Sequence, residues 1–249
     1  MIQPLHTPPA EPPPRLLVVE TDPAIRDRLI AAFTLDGYDA VAAADFEDAR
    51  TCLASGAWDL VLLQVAPPDE SGYRLLRDLR TGVTATAAET GTTLPVMMIS
   101  NRGAEHDRIK GFELGCDDWI TKPYSFGELR GRVAAVLRRS RPATRNTTRD
   151  LGELVINTAE RTVTLADRTI NLTSKEYALL DVLASEPARV FERGVLMRKL
   201  YGTTAPGSTR TLDAQACRLR AKLAGGSNHY VVNVWGVGYR LTAQPAATS

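Results

Sequence analysis

The sequence is poor in the residues that build disulfide frameworks, metal sites and membrane spans. Its 249 residues include three cysteines, Cys52, Cys116 and Cys217, which are far apart and form no CxxC pair or Cys/His cluster. We therefore expect neither a zinc site nor disulfides, and idle thiols indicate a reducing compartment. No apolar run reaches the roughly 18 residues that a transmembrane helix needs, and no basic segment with an apolar core marks a secretory signal. These absences predict a cytoplasmic protein with no membrane partner.

Enzyme signatures are missing as well. The sequence contains no P-loop, no metal-binding cluster and no Ser/His/Asp arrangement that would indicate nucleophilic catalysis. With 44% hydrophobic and 24% charged residues, the composition is that of a globular protein. We predict a globular protein that is not an enzyme and that needs no metal or other cofactor.

Charge is divided unevenly along the chain, although the net charge is only +1. Residues 1–140 hold 15 Lys/Arg against 20 Asp/Glu, whereas residues 141–249 hold 15 against 9. An acidic first half and a basic second half fit a regulatory module joined to a module that binds nucleic acid. Six prolines within residues 1–14 predict an extended or disordered tail in front of both modules.

The first half alternates apolar runs with amphipathic segments. Short apolar runs, typical of strands buried on both faces of a sheet, occupy residues 16–19, 60–63, 96–99 and 119–121. Segments with helical spacing of apolar residues occupy residues 25–33, 46–54, 71–79 and 125–138. This alternation predicts a doubly wound, flavodoxin-like parallel sheet, whose functional groups gather at the carboxyl ends of the strands. Residues 82–94 are interpreted as a long polar loop.

The second half has a different pattern. Short strands are predicted at 154–156, 162–165 and 169–172, with a turn at Asp167-Arg168. The segment Thr173-Ser174-Lys175-Glu176 has the form of a helix capping box. Three helices follow, ending with one that begins near Thr209, and strands at 230–235 and 239–241 flank a glycine-rich tip. Three helices followed by a hairpin predict an α+β winged helix-turn-helix domain.

Three motifs of this half resemble the effector domain of the OmpR/PhoB response-regulator family. They are residues 172–180 (LTSKEYALL), 210–223 (RTLDAQACRLRAKL) and 236–241 (GVGYRL). The resemblance covers residues 151–241 and implies an N-terminal four-stranded sheet, a recognition helix in the major groove of DNA and a wing in the minor groove. The implied partner is double-stranded DNA, and RNA polymerase is a further expected partner.

The third helix and the wing are the predicted DNA-reading elements. Leu212, Ala216, Leu219 and Leu223 are expected to face inward. Arginine pairs with guanine edges and glutamine with adenine, while Arg, Lys and Thr also hold phosphates. We predict DNA contacts from residues of the remaining faces and of the wing tip, namely Arg210, Thr211, Gln215, Arg218, Arg220, Lys222, Trp235 and Gly236.

Trp235 departs from the family, which usually has an arginine just before the wing glycine. An arginine is attracted to narrow A·T minor grooves, and tryptophan cannot supply that charge. Trp235 can stack on sugars, wedge at a base step or pack on its own domain. We favour packing or sugar contact, which puts minor-groove readout by the wing in doubt.

The first half resembles a receiver domain over about residues 15–140. The segments 18–23 (VVETDP) and 59–64 (DLVLLQ) match its motifs, and Pro68 and Gly72 follow Gln64 at the family's loop spacing. Gln64 thus stands at the phosphoacceptor position, where the family has aspartate. The resemblance implies a switch hydroxyl at Ser100, Trp119 in place of the switch Tyr or Phe, and a cis bond before Pro123. It implies a pocket made of Glu20, Thr21, Asp22, Ser100, Trp119 and Lys122.

Two substitutions change what this pocket can do. The neutral amide of Gln64 cannot form an acyl phosphate, and Thr21 replaces an acid that would help to hold Mg²⁺. Lys122 loses its closest counter-charge, although Glu20 or Asp22 can compensate. Asp69 or Glu70 could accept phosphate instead, but both follow the strand and lie away from Lys122. We predict that phosphate control is lost, which leaves a cognate histidine kinase in doubt.

Charged residues that match the family's two-fold receiver dimer are present. Most exposed charges are ordinary surface ions, but retention of the set favours a homodimer through the receiver. The network of intermolecular ion pairs is expected to be smaller than in the family, because His106 and Ala134 replace charged residues. The predicted dimer interface consists of Arg108, Lys110, Asp117, Asp118, Glu128 and Arg132.

These patterns predict five regions, which are a tail at 1–14, a receiver at 15–139, a linker at 140–150, a winged-helix domain at 151–243 and a tail at 244–249. The expected function is a sequence-specific, dimeric transcription regulator that works without phosphorylation. The alternative is a receiver that binds a protein or a small ligand while DNA binding is vestigial.

Overall fold

The computed structural model of the chain describes residues 12–65, 70–83, 93–101, 104–140, 148–201, 209–224 and 230–242. Most of the predicted tails, of the linker and of the loop at 82–94 lie outside the described residues. No helix in the described ranges is long and apolar enough to cross a membrane.

The N-terminal domain is built on a five-stranded parallel sheet of order β2-β1-β3-β4-β5. Its strands are β1 (Arg15–Val19), β2 (Asp39–Ala43), β3 (Leu60–Val65), β4 (Val96–Ser100) and β5 (Asp118–Thr121). Its helices are α1 (Pro23–Leu35), α2 (Phe46–Ser55), α3 (Ser71–Thr81), α4 (Glu105–Leu114) and α5 (Phe126–Ser140). This is the predicted doubly wound arrangement.

Continuous apolar strands arise because the sheet is covered on both faces. Leu17 and Val19 belong to one core cluster, whereas Leu16 and Val18 belong to the other. Successive side chains of a strand point to opposite faces, so a strand that is buried on both sides has no polar positions to alternate with.

The C-terminal domain has a four-stranded antiparallel sheet followed by a winged helix-turn-helix. The sheet contains β6 (Thr148–Leu151), β7 (Leu154–Asn157), β8 (Thr162–Leu165) and β9 (Arg168–Thr169). The rest comprises α6 (Ser174–Ser185), β10 (Phe191–Glu192), α7 (Arg193–Tyr201), α8 (Arg210–Lys222), β11 (Val231–Val234) and β12 (Gly238–Leu241). A three-stranded sheet of order β10-β12-β11 forms the wing. The predicted fold class is confirmed.

The structure differs from the sequence-based expectation at two places in the four-stranded sheet. Strand β6 begins at Thr148, inside the predicted linker. The sequence did not predict this strand because its residues are mostly polar and partly exposed, and they show no strand-like apolar pattern. The turn between β8 and β9 is formed by Ala166 and Asp167, not by Asp167-Arg168. Both have positive φ, +47° and +61°, and Arg168 already pairs with Leu165, as in a two-residue hairpin.

Candidate functional site

The predicted receiver pocket is assembled at the carboxyl edge of the parallel sheet. Glu20 follows β1, Gln64 lies near the end of β3, Ser100 ends β4 and Lys122 follows β5. These strands are neighbours in the sheet, so their ends meet although they are far apart in sequence. The peptide bond before Pro123 is cis, as the resemblance implies.

Gln64 and Thr21, the two positions at which acids of the receiver motif are predicted to be replaced, are bonded to each other. Gln64 Oε1 accepts hydrogen bonds from the backbone N–H of Thr21 and from its hydroxyl, both at 2.9 Å. Gln64 is 8% exposed, so the amide is largely shielded from water. A neutral pair of hydrogen-bonded groups thus occupies the place where the resemblance leads us to expect two acids.

Lys122 has an acidic partner in the pocket. Its Nζ lies 2.8 Å from Glu20 Oε2, and Glu20 is 1% exposed. The other oxygen of Glu20 accepts from the backbone N–H of Asp22 at 3.1 Å. The expected compensation by Glu20 is therefore present in the structure.

The donor set does not fit Mg²⁺. Glu20 is paired with Lys122, and Asp22 is the N-cap of α1, where its carboxylate accepts from the backbone N–H groups of Ala24 and Ile25. Thr21 and Gln64 contribute only neutral oxygens, which bind a hard divalent cation weakly without additional acids. Among the described residues, no group of three or more His, Cys, Asp or Glu side chains is suited to a metal.

Ser100 and Trp119 are both buried. The Ser100 backbone accepts a hydrogen bond from Lys122 N–H at 2.8 Å, which ties the ends of β4 and β5 together. Trp119 stacks on Tyr73, with 6.4 Å between ring centroids. Of the two alternative phosphoacceptors, Asp69 lies outside the described residues, and the Glu70 carboxylate lies 2.7 Å from Lys110 Nζ.

The predicted recognition helix, α8, is bonded to the first turn of α6. The predicted capping box is present, because Thr173 and Glu176 each accept a hydrogen bond from the other's backbone N–H. Glu176 is fully buried and also pairs with Lys222 at 2.8 Å and with Arg218 at 3.4 Å. The inner face of α8 is as predicted, and its buried members are Leu212, Ala216, Leu219 and Leu223.

Several predicted DNA contacts have other partners in this arrangement. Thr211 and Gln215 are fully buried. Arg220 Nε donates to the Val231 carbonyl at 3.1 Å, and Lys222 Nζ donates to the Asn171 carbonyl at 2.8 Å. Arg210 is exposed at the start of the helix. The role of these residues toward DNA stays a prediction.

The solvent-facing stripe of α8 was predicted only in part, because sequence reasoning identified Arg210 and missed the other three members. It consists of Arg210, Ala214, Cys217 and Ala221, of which all but the half-buried Ala214 are exposed. Each of these residues lies two positions before a member of the buried stripe. Two positions correspond to a rotation of about 200° around the helix axis, so the two stripes lie on opposite faces. That spacing was the signal that could have identified Cys217 as a surface residue of the recognition helix.

The wing tip is open to solvent. Trp235 is 91% exposed, so the interpretation that it packs on its own domain is wrong for this structure. A short tip of three residues, 235–237, leaves the indole no neighbouring surface to cover. Gly236 has φ +73°, the left-handed conformation that glycine adopts most easily, and has open space around its Cα.

Five of the six predicted dimer residues form ion pairs within the chain. Arg132 lies 3.3 Å from Asp118 and 2.9 Å from Glu128, and Lys110 pairs with Glu70. Asp117 is buried, so its carboxylate is unavailable to a second subunit here. It binds Arg80 at 3.0 Å, and burial raises its pKa.

The effector domain lies against the same face of the receiver. Arg218 of α8 donates to the backbone carbonyl of Glu113 and, at 3.4 Å, to that of Phe112 in α4. Phe112 packs edge-to-face on Tyr201 of α7, with 5.2 Å between centroids. A cavity of about 240 Å³ between the domains is lined by Tyr201 and by four predicted dimer residues, Arg108, Asp118, Glu128 and Arg132.

Each of the two domains matches a known protein family. Residues 16–134 match the family model described as response regulator receiver domain, and residues 167–241 match transcriptional regulatory protein, C terminal. The response regulator MprA of Mycolicibacterium vanbaalenii is 33% identical over 94% of this chain and 99% of its own length. MprA of Mycobacterium avium is 32% identical over 93% and 99%.

The chain belongs to the OmpR/PhoB-type response regulators. A solved structure of a RitR mutant, with 22% identity and a TM-score of 0.64 over 92% of this chain and 99% of that chain, shares the fold. The regulator is therefore a DNA-binding transcription factor of the two-component type, and its relatives are transcription factors, not enzymes.

Proposed function

We propose that this regulator controls transcription without accepting a phosphoryl group. The observation that carries the proposal is the closed set of bonds in the pocket. Gln64 is held by Thr21, and Lys122 is held by Glu20. In an ordinary receiver, a carboxylate nucleophile and two metal-binding acids would be required at these positions. Here the polar groups satisfy one another with neither phosphate nor metal.

Acetyl phosphate with Mg²⁺ tests this proposal directly. We expect no label on the wild type, and we expect label on the double variant Gln64→Asp/Thr21→Asp, which restores the nucleophile and an acid for the metal. Gln64→Ala is the control. If the wild type were labelled and Gln64→Ala kept the label, the acceptor would be another residue such as Asp69 or Glu70, and the proposal would be wrong.

DNA binding through α8 has an internal probe in the exposed thiol of Cys217. Cys116 is buried, and Cys52 is half-buried in α2 of the receiver. We expect bound DNA to slow maleimide labelling of Cys217 while Cys52 reacts at an unchanged rate. Arg210→Ala, which removes an exposed charge from the same helix face, should weaken this protection. Equal labelling of Cys217 with and without saturating DNA would contradict binding through this face.

The proposed regulator acts on DNA as a dimer through its receivers and contacts RNA polymerase. Support for the dimer comes from the charged residues of α4, β5 and α5, which lie together on one face. In this structure most of them pair within one chain, and four of them line the cavity beside the effector domain, so dimerisation requires the effector to move. Sedimentation with and without DNA tests this, and a monomer on a single half-site at saturation would contradict it.

A second candidate function is a ligand- or protein-sensing receiver with vestigial DNA binding. One observation favours it, because Thr211 and Gln215 are buried while Arg218, Arg220 and Lys222 hold other groups of the chain. The Cys217 footprint separates the two candidates, since a vestigial DNA-binding domain leaves the thiol unprotected. Changes at Arg218 or Arg220 are less direct probes of DNA affinity, because the Arg218 guanidinium bonds α4 and Glu176 and that of Arg220 bonds the wing strand β11.

A further inference from the structure

Two of the large apolar side chains that the described residues expose lie at the wing tip. Trp235 is 91% exposed and Val237 is 46% exposed, with only Gly236 between them. A tryptophan rarely remains so exposed unless it contacts a partner. The tip contains no charged side chain of its own, so a phosphate would not be its preferred target.

The wing tip is held in place by backbone contacts with β11 and with the segment around β10. Val237 N–H donates to the Val234 carbonyl at 3.0 Å, and the Val237 carbonyl accepts from Arg193 N–H at 3.2 Å. At Gly238, a Cβ would lie 1.9 Å from the Phe191 carbonyl oxygen, so only glycine allows β12 to approach β10 this closely. The indole therefore projects from a fixed base.

The wing is also fixed relative to the recognition helix. Asp213 of α8 accepts a 2.6 Å hydrogen bond from the Tyr239 hydroxyl of β12 and lies 3.3 Å from Arg193. Arg193 reaches in turn to Asn233 of β11 at 3.2 Å. These contacts join α7, α8 and the wing, so a DNA duplex that engages α8 meets the tip at a set distance.

We propose that Trp235, supported by Val237, is an apolar wedge that enters the minor groove and partly unstacks one base step. This proposal rests on DNA binding by the domain. An indole offers a flat apolar face and one N–H donor, which match a base plane and the acceptors of the minor-groove floor. The step would be pyrimidine–purine, because these steps unstack and kink most easily. Selectivity at that position then comes from DNA deformability and not from attraction of a cation to a narrow A·T groove.

Binding sites selected from random DNA by the full-length protein provide the substrate for the test. We expect Trp235→Ala to weaken binding at least tenfold, to reduce the DNA bend and to leave the salt dependence of the affinity unchanged, because no phosphate contact is lost. Trp235→Phe should retain most of the bend. Trp235→Arg should instead steepen the plot of log affinity against log salt by about one unit and shift selection toward A·T tracts.

Val83 gives a matched control, because it is an exposed valine of the receiver. Val237→Ala should lower affinity, whereas Val83→Ala should not. In duplexes with 2-aminopurine at single positions, fluorescence should rise at one step with wild type and not with Trp235→Ala. Unchanged affinity and bend in Trp235→Ala, while Arg210→Ala still impairs binding, would overturn the wedge and leave the DNA function standing. Failure of the wild type to select any DNA would overturn the proposed function itself.

Discussion

Trp119 fits into the receiver because the neighbouring helix has a glycine at the point of contact. A Cβ at Gly111 would lie 2.8 Å from Cζ3 of the indole and 3.1 Å from the sulfur of Met98. Both distances are shorter than ordinary van der Waals contact. The large side chain at 119 and the missing side chain at 111 therefore form one packing unit that holds α4 against β5.

We expect Gly111→Ala to lower the free energy of unfolding by roughly 1–3 kcal/mol, because overpacking outweighs the better helix propensity of alanine. Gly131→Ala in α5 is the matched control, since its Cβ would meet nothing within 4 Å. That control should raise the free energy of unfolding by about 0.5–1 kcal/mol. Urea denaturation of both variants measures the difference, and a stabilised Gly111→Ala would contradict the packing described.

Lys175 is a buried ammonium close to the domain contact. Its Nζ donates to the Leu200 carbonyl at 2.6 Å and lies 4.4 Å from the centroid of the Tyr201 ring. Burial and, to a smaller extent, the positive charge of Arg139 lower the pKa of Lys175 from 10.5 to about 8, although Asp117 and Asp118 act in the opposite direction. Removing this side chain from water thus disfavours its charged form.

The pH dependence of stability follows from this pKa. The folded-state pKa lies below the unfolded value, so the unfolded chain binds more protons between about pH 8 and pH 10.5. Stability of the wild type relative to Lys175→Met should therefore rise across that window, by up to about 3 kcal/mol. Below pH 8 the difference should be constant. Denaturation of the wild type and of Lys175→Met at several pH values measures this stability difference. Other groups that titrate in the same pH range contribute equally to both proteins and cancel in the difference. A flat difference would contradict the buried charge.

At the scale of elements, the capping box does more than start a helix. Glu176 links the first turn of α6 to the end of α8 through Lys222, and it is fully buried. A buried carboxylate keeps its charge only if partners replace the water that it has lost. The orientation of the recognition helix thus depends on a residue whose sequence motif indicates only a helix N-terminus.

We expect Glu176→Ala to lower the free energy of unfolding of the effector domain by about 3 kcal/mol, because it removes a cap and the carboxylate that pairs with Lys222 and Arg218. Glu176→Gln should cost less, since an amide can still accept from Thr173 N–H. Glu186→Ala at the other end of α6, where Glu186 pairs with Arg189 in solvent, should change nothing measurable. Equal effects at both ends of the helix would refute the linking role.

The elements missed by sequence reasoning share a physical cause. Strand β2 is an edge strand of small residues, and only one of its five positions is buried. Helix α4 buries Asp107, Gly111 and Phe112, so an acid and a glycine occupy positions where an apolar stripe would be expected. Periodicity detects an element only when burial and apolar character coincide.

At the scale of the whole molecule, the predicted recognition helix α8 lies partly against α4 of the receiver domain. Thr211, Gln215 and Arg218 follow one another at helical spacing on one flank of α8, and Arg218 bonds α4. The same contact region includes the Arg108 Nε and Trp119 Nε1 atoms, which are buried with no hydrogen-bond partner among the described residues.

We expect Phe112→Leu to loosen the domain contact, because the edge-to-face packing on Tyr201 is lost while a similar apolar volume is kept. The radius of gyration from small-angle scattering should increase, and DNA affinity should rise severalfold. Phe126→Leu is the control, since Phe126 packs in the receiver core that lies away from the effector. A variant with unchanged dimensions and unchanged affinity would show that the contact does not restrain α8.

The sequence by itself determined what depends on local pattern and residue chemistry. Two-sided apolar runs indicated the parallel sheet, and the capping box and the hairpin glycines marked the winged helix. The prediction that Gln64 accepts no phosphoryl group also required no coordinates, because an amide cannot form an acyl phosphate wherever it lies.

Only the tertiary structure decided which distant groups satisfy one another. Local pattern does not reveal that Gln64 bonds Thr21, that Arg220 and Lys222 are engaged within the domain, or that Trp235 stands in solvent. The physical reason is that burial and hydrogen bonding of polar groups are set by partners far away in sequence. The charged face of the receiver illustrates this, because the family resemblance led us to expect a second subunit there, whereas the fold brings the chain's own helix α8 against it.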